Sequence, residues 1–303
     1  WTFYGSVGLA ANRGLEFLTI YLGPACVALL WPVLLRKLVR VAKEQRITSI
    51  SDFVSSRYGK SAPLGTLVAL LVVGGMIPYI ALQLKAVSVS FTMILREESV
   101  LNVFDPTFLV AGMLALFGIL FGARNLDFTK HQTGLMTAVA VESVVKLVAF
   151  LVVGVYVTWG LFGGIGNLFG RAAAHPEWSR LLTLDGSGTA SYSRWTAMLV
   201  ISMFAVMFLP RQFHVLVVQN ARERDVHTVS WSFPLYLMLI NLFLLPIALA
   251  GLATFPRAGA TADSFILRLP LFFDSSLVSV IVFLGGFSAA TAMIVVDSLA
   301  LSK

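Results

Sequence analysis

Charged residues are scarce in this sequence. Only 12% of its 303 residues are Asp, Glu, Lys or Arg, whereas soluble domains carry about 25%. Hydrophobic residues make up 58% of the chain, and the mean hydropathy is +0.87. This shortage of charge excludes a soluble globular domain. It predicts an all-α polytopic membrane protein in contact with a lipid bilayer, because each crossing helix needs roughly 20 apolar residues.

Cysteine and the usual enzyme motifs are missing as well. The single cysteine, Cys26, lies in an apolar run and has no second cysteine with which to form a disulfide. The chain contains no Walker A loop, no zinc-ligand spacing and no nucleophile elbow. We therefore expect no catalytic residues and no cofactor. The formal net charge of +7 comes from basic residues scattered between apolar runs, so we expect no nucleic-acid partner.

Seven apolar runs are long enough to be complete membrane spans. They cover residues 15–35, 63–95, 107–122, 132–161, 196–218, 232–254 and 277–302. Residues 1–11 look like part of a further span, and an apolar run stops at Lys303, so we expect a membrane domain over 1–303 that is truncated at both ends. Residues 47–60 are too polar to cross, and their apolar residues recur near helical spacing. This segment predicts an interfacial amphipathic helix.

The basic residues predict the orientation of the chain. Of the 22 Lys and Arg residues, 13 fall in segments on one side of the alternating path and 7 on the other. Residues 36–46 alone contain five of them. Because basic loops stay in the cytoplasm, this segment is predicted to be cytoplasmic, and the segments 162–195 and 255–276 are predicted to lie outside.

Two spans contain helix breakers. Pro210 interrupts the run at 196–218, and Arg211, Gln212 and His214 follow within one turn. A broken span with polar residues is typical of a discontinuous transporter helix. The alternative is that the helix ends near Leu209 and Arg211 anchors it at the cytoplasmic surface.

The second break is at residues 74–79, which read GGMIPY and precede Gln83 and Lys85. It predicts either a functional interruption or a kinked packing helix in which Lys85 extends to the membrane surface.

Ionisable residues inside spans are candidates for function because they are costly in a bilayer. Glu142 and Lys146 are four residues apart in the favourable order for a helical ion pair, so we expect a buried pair facing the bundle. Asp297 is either a proton or cation site or a residue near the cytoplasmic end. The small residues 285–292 permit close helix approach or cation coordination.

Four motifs carry a resemblance to a known family. They are ITSISDFVSSRYGKS (47–61), IPYIALQLKAVSVS (77–90), GARNLDFTKHQTGLMTAVAVESVVKLVAF (122–150) and FLPRQFHVLVVQN (208–220). The first resembles the stretch after the second core helix of sodium:solute symporters. Together they resemble the symporter-like membrane domain at the N-terminus of bacterial sensor histidine kinases.

The resemblance implies an inverted-repeat fold of five plus five core helices. It makes residues 1–11 the outer half of the first core helix, 196–218 the broken sixth helix and 277–302 the eighth. It also implies that part of the first helix and the last two helices are absent from this chain. Trp1 resembles a tryptophan just past the unwound part of the first helix.

The resemblance also implies site residues. Gln212 and His214 resemble the Gln-x-His of proline-type symporters, and with Trp1, Gln83 and Pro210 they form the expected substrate path. The family's sodium-binding Ser–Thr pair aligns with Ala290 and Thr291, and Ser288 faces another direction by helical spacing. Because Ala290 lacks a hydroxyl, we expect at most a weak sodium site at Thr291 and coupling to protons instead, with His214, Glu142 and Asp297 as candidate carriers.

Two functions follow from these observations. One is transport of a small polar solute, such as an amino acid, across a bacterial inner membrane. The other is a purely sensory membrane domain that regulates an attached kinase and its response regulator. A histidine kinase region would begin after Lys303, and for this chain itself we expect no enzymatic activity.

Overall fold

The computed structural model describes residues 2–95, 133–184, 192–220, 222–256 and 259–302, together with Phe108, Gly112, Met113 and Leu116. All the secondary structure in these residues is helical, as the composition predicts. Trp1 and, apart from those four residues, the predicted span 107–122 lie outside the described part of the chain.

The helices are numbered here in chain order over the described residues. They are α1 Gly5–Arg13, α2 Thr19–Ala28, α3 Leu34–Glu44, α4 Ile50–Arg57, α5 Ala62–Leu95, α6 Thr133–Val155, α7 Ile165–Ala174, α8 Tyr192–Phe208, α9 Pro210–Phe213, α10 Asp225–Asn241, α11 Leu244–Thr254, α12 Phe265–Phe272 and α13 Ser276–Ser302. Short 3-10 turns cover Gly14–Leu18, Ser179–Leu182 and Gly259–Ser264, and π-helical turns cover Tyr156–Leu161 and His214–Val218.

Four helical stretches are long and apolar enough to cross a membrane. They run over Ala62–Ile94, Met136–Leu161, Asp225–Thr254 and Ser276–Leu301. A fifth crossing is formed if α8 and the continuation Pro210–Val218 are taken as one bent span. These five stretches agree with five of the predicted spans, and the molecule is a multi-pass membrane protein. The five-plus-five inverted repeat and the truncation stay predictions.

The predicted span 15–35 is not one continuous helix. It consists of the Gly14–Leu18 turn, α2 and a run of turns at residues 29–33 before α3 begins at Leu34. Pro32 lies inside that run, and a proline disfavours helical backbone at the residue before it. Beyond the break, the basic helix α3 buries Leu35, Val39 and Ala42.

The polar segment 47–60 does contain a helix, as its spacing predicts. The Ser49 side chain caps α4 by accepting a hydrogen bond from the Asp52 N–H at 3.2 Å. Ile47 and Ile50 are buried, and the Phe53 ring lies 5.4 Å from the Phe213 ring. The helix therefore packs against α9. Its predicted position at the membrane interface stays a prediction.

Small residues let α13 approach its neighbours closely. A Cβ placed on Gly285 would lie 2.4 Å from the Ala149 Cβ of α6, and one on Gly286 would collide with the side chain of Tyr4, the residue before α1. Helices in lipid gain stability mainly by such close packing. The prediction that residues 285–292 permit close helix approach is thus confirmed, and α13 lies at the centre of the candidate site.

Candidate functional site

The broken span bends sharply at Leu209 and Pro210. Pro210 has no N–H and disfavours helical backbone at the preceding residue, and Leu209 is extended with φ −62° and ψ 135°. The chain then re-enters a helix as α9 and continues into the π-turn His214–Val218, with a bend of 49° between the two pieces. The predicted break at Pro210 is confirmed, and the chain continues as a helix beyond Leu209. That the two pieces form one discontinuous span stays a prediction.

Arg211 connects the break to two other helices. Its Nη1 donates a hydrogen bond to Tyr79 Oη of α5 at 3.1 Å, and its guanidinium lies 5.1 Å from the Tyr79 ring centre. The same nitrogen lies 3.7 Å from Asp297 Oδ2 of α13 and contacts the Met293 sulfur. Asp297 is only 1% exposed. Asp297 is therefore a buried partner of Arg211, and Arg211 is not a surface anchor.

A cavity of about 150 Å³ lies beside this junction, between α6, α9 and α13. Its lining residues are Val139, Glu142, Ser143, Lys146, Arg211, Gln212, Val215, Ala289, Ala292, Met293 and Val296. Two basic side chains and one carboxylate thus share a small, partly apolar space next to the break. We refer to it as the break cavity.

The expected ion pair between Glu142 and Lys146 is not formed. No salt bridge within 4.0 Å joins these two described residues. The Lys146 Nζ lies instead 5.7 Å from the Tyr236 ring centre of α10. Sequence spacing placed both residues on one helix face correctly, but the neighbouring helix α10 gives Lys146 a different contact.

The residues expected to form the substrate path do not all meet. Gln212 lines the break cavity, whereas the buried His214 points elsewhere and lies 3.2 Å from Gln219 through its Nε2. Gln83 is also buried and lines a different cavity of about 520 Å³. Trp1 lies outside the described residues.

The larger cavity lies between α1, α5 and the Gly259–Ser264 turn. Its charged lining includes Lys85 from α5 and Asp263 from the turn. Partial burial raises the pKa of the Asp263 carboxyl, and the Lys85 charge opposes part of that rise. This cavity belongs to the end of the bundle predicted to face outside.

The residues of the expected weak sodium site are engaged with their own helix. The Thr291 hydroxyl lies 3.1 Å from the Phe287 carbonyl oxygen and 3.0 Å from that of Ser288. Ala290 is buried in an apolar cluster with Val87 and Ile294. Sodium binding at Thr291 and Ser288 stays a prediction.

Glu16, which belongs to none of the sequence motifs above, is buried near the predicted outer surface. Its Oε1 lies 3.5 Å from Arg13 Nη1 and 3.2 Å from Arg194 Nη2. In the sequence, the three-residue spacing between Arg13 and Glu16 indicates that these two side chains can form an ion pair on one helical face. Arg194 comes from the start of α8, so only the folded structure brings it to this carboxylate.

The chain resembles a curated protein of Bacillus subtilis. The chain is 27% identical over 290 residues to the uncharacterized symporter YhjB of Bacillus subtilis strain 168. The alignment covers 93% of this chain and 54% of the Bacillus protein, so the chain spans about half the length of the curated relative it matches. No protein-family model and no solved structure matches the chain. This likeness supports a symporter-like family.

Proposed function

We propose that the chain is part of a bacterial inner-membrane secondary transporter for a small polar solute, with an amino acid as the first candidate. The observation that carries the proposal is the 49° break at Leu209 and Pro210 beside the break cavity. Irregular backbone at membrane depth is tolerated where protein or a water-filled cavity satisfies its polar groups. Broken helices beside such cavities are where secondary transporters bind their substrates. The similarity to a symporter supports the same conclusion.

The proposed coupling ion is a proton. A sodium ion needs several oxygen ligands at close range, and the methyl group of Ala290 is buried among apolar side chains where the family pattern has a hydroxyl. A proton needs only one titratable group near the path. Glu142 in the break cavity and Asp297 beside Arg211 are the candidates closest to the break, and His214 is the third.

Uptake by the full-length parent protein in proteoliposomes tests the proposal. We expect a labelled amino-acid mixture to enter when a proton gradient is imposed, without sodium. Pro210→Ala should slow uptake strongly, whereas the matched control Pro234→Ala, inside α10 and outside the break cavity, should not. Uptake that requires a sodium gradient and ignores pH would refute proton coupling. The absence of uptake for every solute tried would refute transport.

The second candidate is a sensory membrane domain of a two-component kinase. The motif at residues 77–90 and the motif around the break support it, because both resemble the membrane domain of sensor histidine kinases. The sequence after Lys303 distinguishes the two candidates. A dimerisation helix with an exposed His, followed by an ATP-binding domain, would establish the sensor architecture, and transport and sensing can then coexist.

A further inference from the structure

Lys146 is a buried cation that lines the break cavity and forms no salt bridge with the described residues. The residue is only 7% exposed, and its Nζ lies 5.7 Å from the centre of the Tyr236 ring. Within the part of the chain that the structure describes, no carboxylate oxygen lies within 4.0 Å of its Nζ. Burying a charge is costly unless it is paired, so this ammonium is suited to an anionic group that enters the cavity.

Arg211 presents a second positive edge to the same space. Its recorded polar contacts to Tyr79, Met293 and Asp297 all use Nη1. A guanidinium has five N–H donors in a planar fork, and its Nε and Nη2 make no recorded hydrogen bond to the described residues. Such an edge matches the two oxygens of a carboxylate. The anionic group that fits here is therefore a carboxylate.

Glu142 supplies the opposite charge one helical turn away. It lines the cavity together with Lys146, and side chains four residues apart on a helix have Cβ atoms about 5–6 Å apart. These two side chains form no salt bridge with each other, and the Lys146 ammonium lies over the Tyr236 ring instead. A molecule that carries an ammonium next to a carboxylate can therefore bridge the two side chains.

Charge balance favours such a zwitterion over a plain carboxylate. Lys146 and Arg211 are balanced by Glu142 and by Asp297, which pairs with Arg211. A zwitterion keeps this group of four neutral, whereas a simple carboxylate leaves one negative charge in excess. Uncompensated charge is expensive in a low-dielectric interior.

The size of the cavity limits the ligand. A cavity of about 150 Å³ is comparable to an engineered protein cavity that holds benzene, a molecule of about six non-hydrogen atoms. Glycine and alanine are of this size. We propose that the break cavity binds a small zwitterionic α-amino acid, with its carboxylate on Lys146 and the open edge of Arg211 and its ammonium on Glu142. This proposal rests on the proposed transport function and names its substrate class.

Binding to the full-length protein in detergent tests the site with four probes. They are labelled L-alanine, propionate without the ammonium, ethylamine without the carboxylate, and L-phenylalanine, which is too large. We expect alanine to bind at least about tenfold more tightly than the other three, as expected for the loss of a charged hydrogen bond. Propionate binding as tightly as alanine would overturn the zwitterion assignment.

Three variants test the residues. Lys146→Met should weaken alanine binding by about tenfold or more, and the control Lys37→Met on the exposed face of α3 should leave it unchanged. Glu142→Gln should weaken alanine binding more than propionate binding. Because the Glu142→Gln variant must still bind propionate for this ratio to be measured, a changed ratio of alanine to propionate binding cannot result from misfolding. Alanine binding that is unaffected in both cavity variants would overturn the site.

Uptake by the wild-type protein separates this inference from the transport proposal. Uptake of another solute without alanine binding would refute the inference and leave transport standing. Alanine binding that depends on Lys146 without uptake of any solute would uphold the site and refute transport.

Discussion

At the scale of single residues, Arg211 joins three helices through one nitrogen. Nη1 reaches Tyr79 on α5 and both Met293 and Asp297 on α13, while the residue itself belongs to α9. Because Asp297 is almost completely buried, its carboxylate has little access to water that could replace Arg211. The break in the span is therefore held in place by an ion pair whose two members depend on each other.

Removing either partner should destabilise the protein more than removing both. Asp297→Asn or Arg211→Gln leaves one buried charge uncompensated, which costs about 3–5 kcal/mol in soluble interiors. We expect each single variant to lower the melting temperature of the purified protein, and the double variant to recover part of the loss. The control is Asp225→Asn at the exposed start of α10, which should have little effect. A double variant that melts below both single variants would contradict the pairing.

The sequence predicted some features of this site and missed others for a physical reason. Proline chemistry is local, so the break at Pro210 could be predicted from the chain alone. The partners of Glu142 and Lys146 could not, because helical spacing gives the face of a residue but not the neighbouring side chains. Tyr236 lies far away in sequence, and packing brings its ring next to the Lys146 ammonium.

At the scale of helices, the contact between α13 and α6 depends on Gly285, which has no side chain. A Cβ on Gly285 would lie 2.4 Å from the Ala149 Cβ, which is closer than two carbon atoms can pack. The two helices must separate if Gly285 gains a methyl group. The sequence predicted close approach from its run of small residues, but it did not identify the neighbour.

Gly285→Ala should therefore destabilise the protein, and Ala149→Gly should restore it. The double variant puts one methyl group on the opposite side of the same contact. Gly74→Ala in α5 is the matched control, because a Cβ there would meet open space, and alanine favours a helix by about 1 kcal/mol over glycine. The measurement is the monodisperse fraction that survives heating in detergent. The critical result is that the double variant regains the stability that Gly285→Ala loses. A double variant as unstable as Gly285→Ala alone would refute this contact.

The basic helix α3 is connected to the segment before α10 by Glu223. Its Oε2 lies 3.1 Å from Arg40 Nη2 and 3.5 Å from Arg36 Nε. The hydrogen bond from Arg40 and the charges of both arginines lower the pKa of the Glu223 carboxyl. This contact is exposed to solvent, so salt also screens it.

Acidification should weaken the link between the C-terminal part of α3 and Glu223, while the buried face of α3 stays packed. Because the pKa of Glu223 is lower in the folded protein, its contribution is fully present above the ordinary glutamate pKa of about 4.3 and is lost as the pH falls through the lowered value. A spin label at Gln45→Cys should therefore be restrained at pH 7 and become mobile in acid. In the Glu223→Gln variant the label should be mobile at both pH values. In the control variant Glu177→Gln the label should respond to pH as it does without that substitution. A label with the same mobility in Glu223→Gln and the parent at pH 7 would show that the ion pair does not hold α3.

At the scale of the whole molecule, apolar length and the distribution of basic residues determine most of what the sequence could predict. Five of the seven predicted spans have helical counterparts among the described residues, because long apolar runs are a local property. The segment 15–35 was predicted as a span, but average hydropathy does not detect the interruption of its helix near Pro32. Tertiary contacts determine which polar residues meet, so the site could be predicted only in part.

The orientation follows from an odd number of crossings. Gln45 lies after α3, and Glu177 lies after α7, and both side chains are exposed. Between them the chain passes through α5, the predicted span 107–122 and α6. If all three cross the membrane, the two residues lie on opposite sides of it, and the positive-inside rule predicts that Gln45 is cytoplasmic.

Labelling with an impermeant thiol reagent tests this orientation in intact cells. The background is Cys26→Ser, which removes the only native thiol, and Gln45→Cys and Glu177→Cys are introduced separately. We expect Glu177→Cys to react in intact cells and Gln45→Cys to react only after lysis. The reverse pattern would invert the predicted orientation. If both sites react from the same side, the number of crossings between them is even, and the predicted span 107–122 does not cross the membrane.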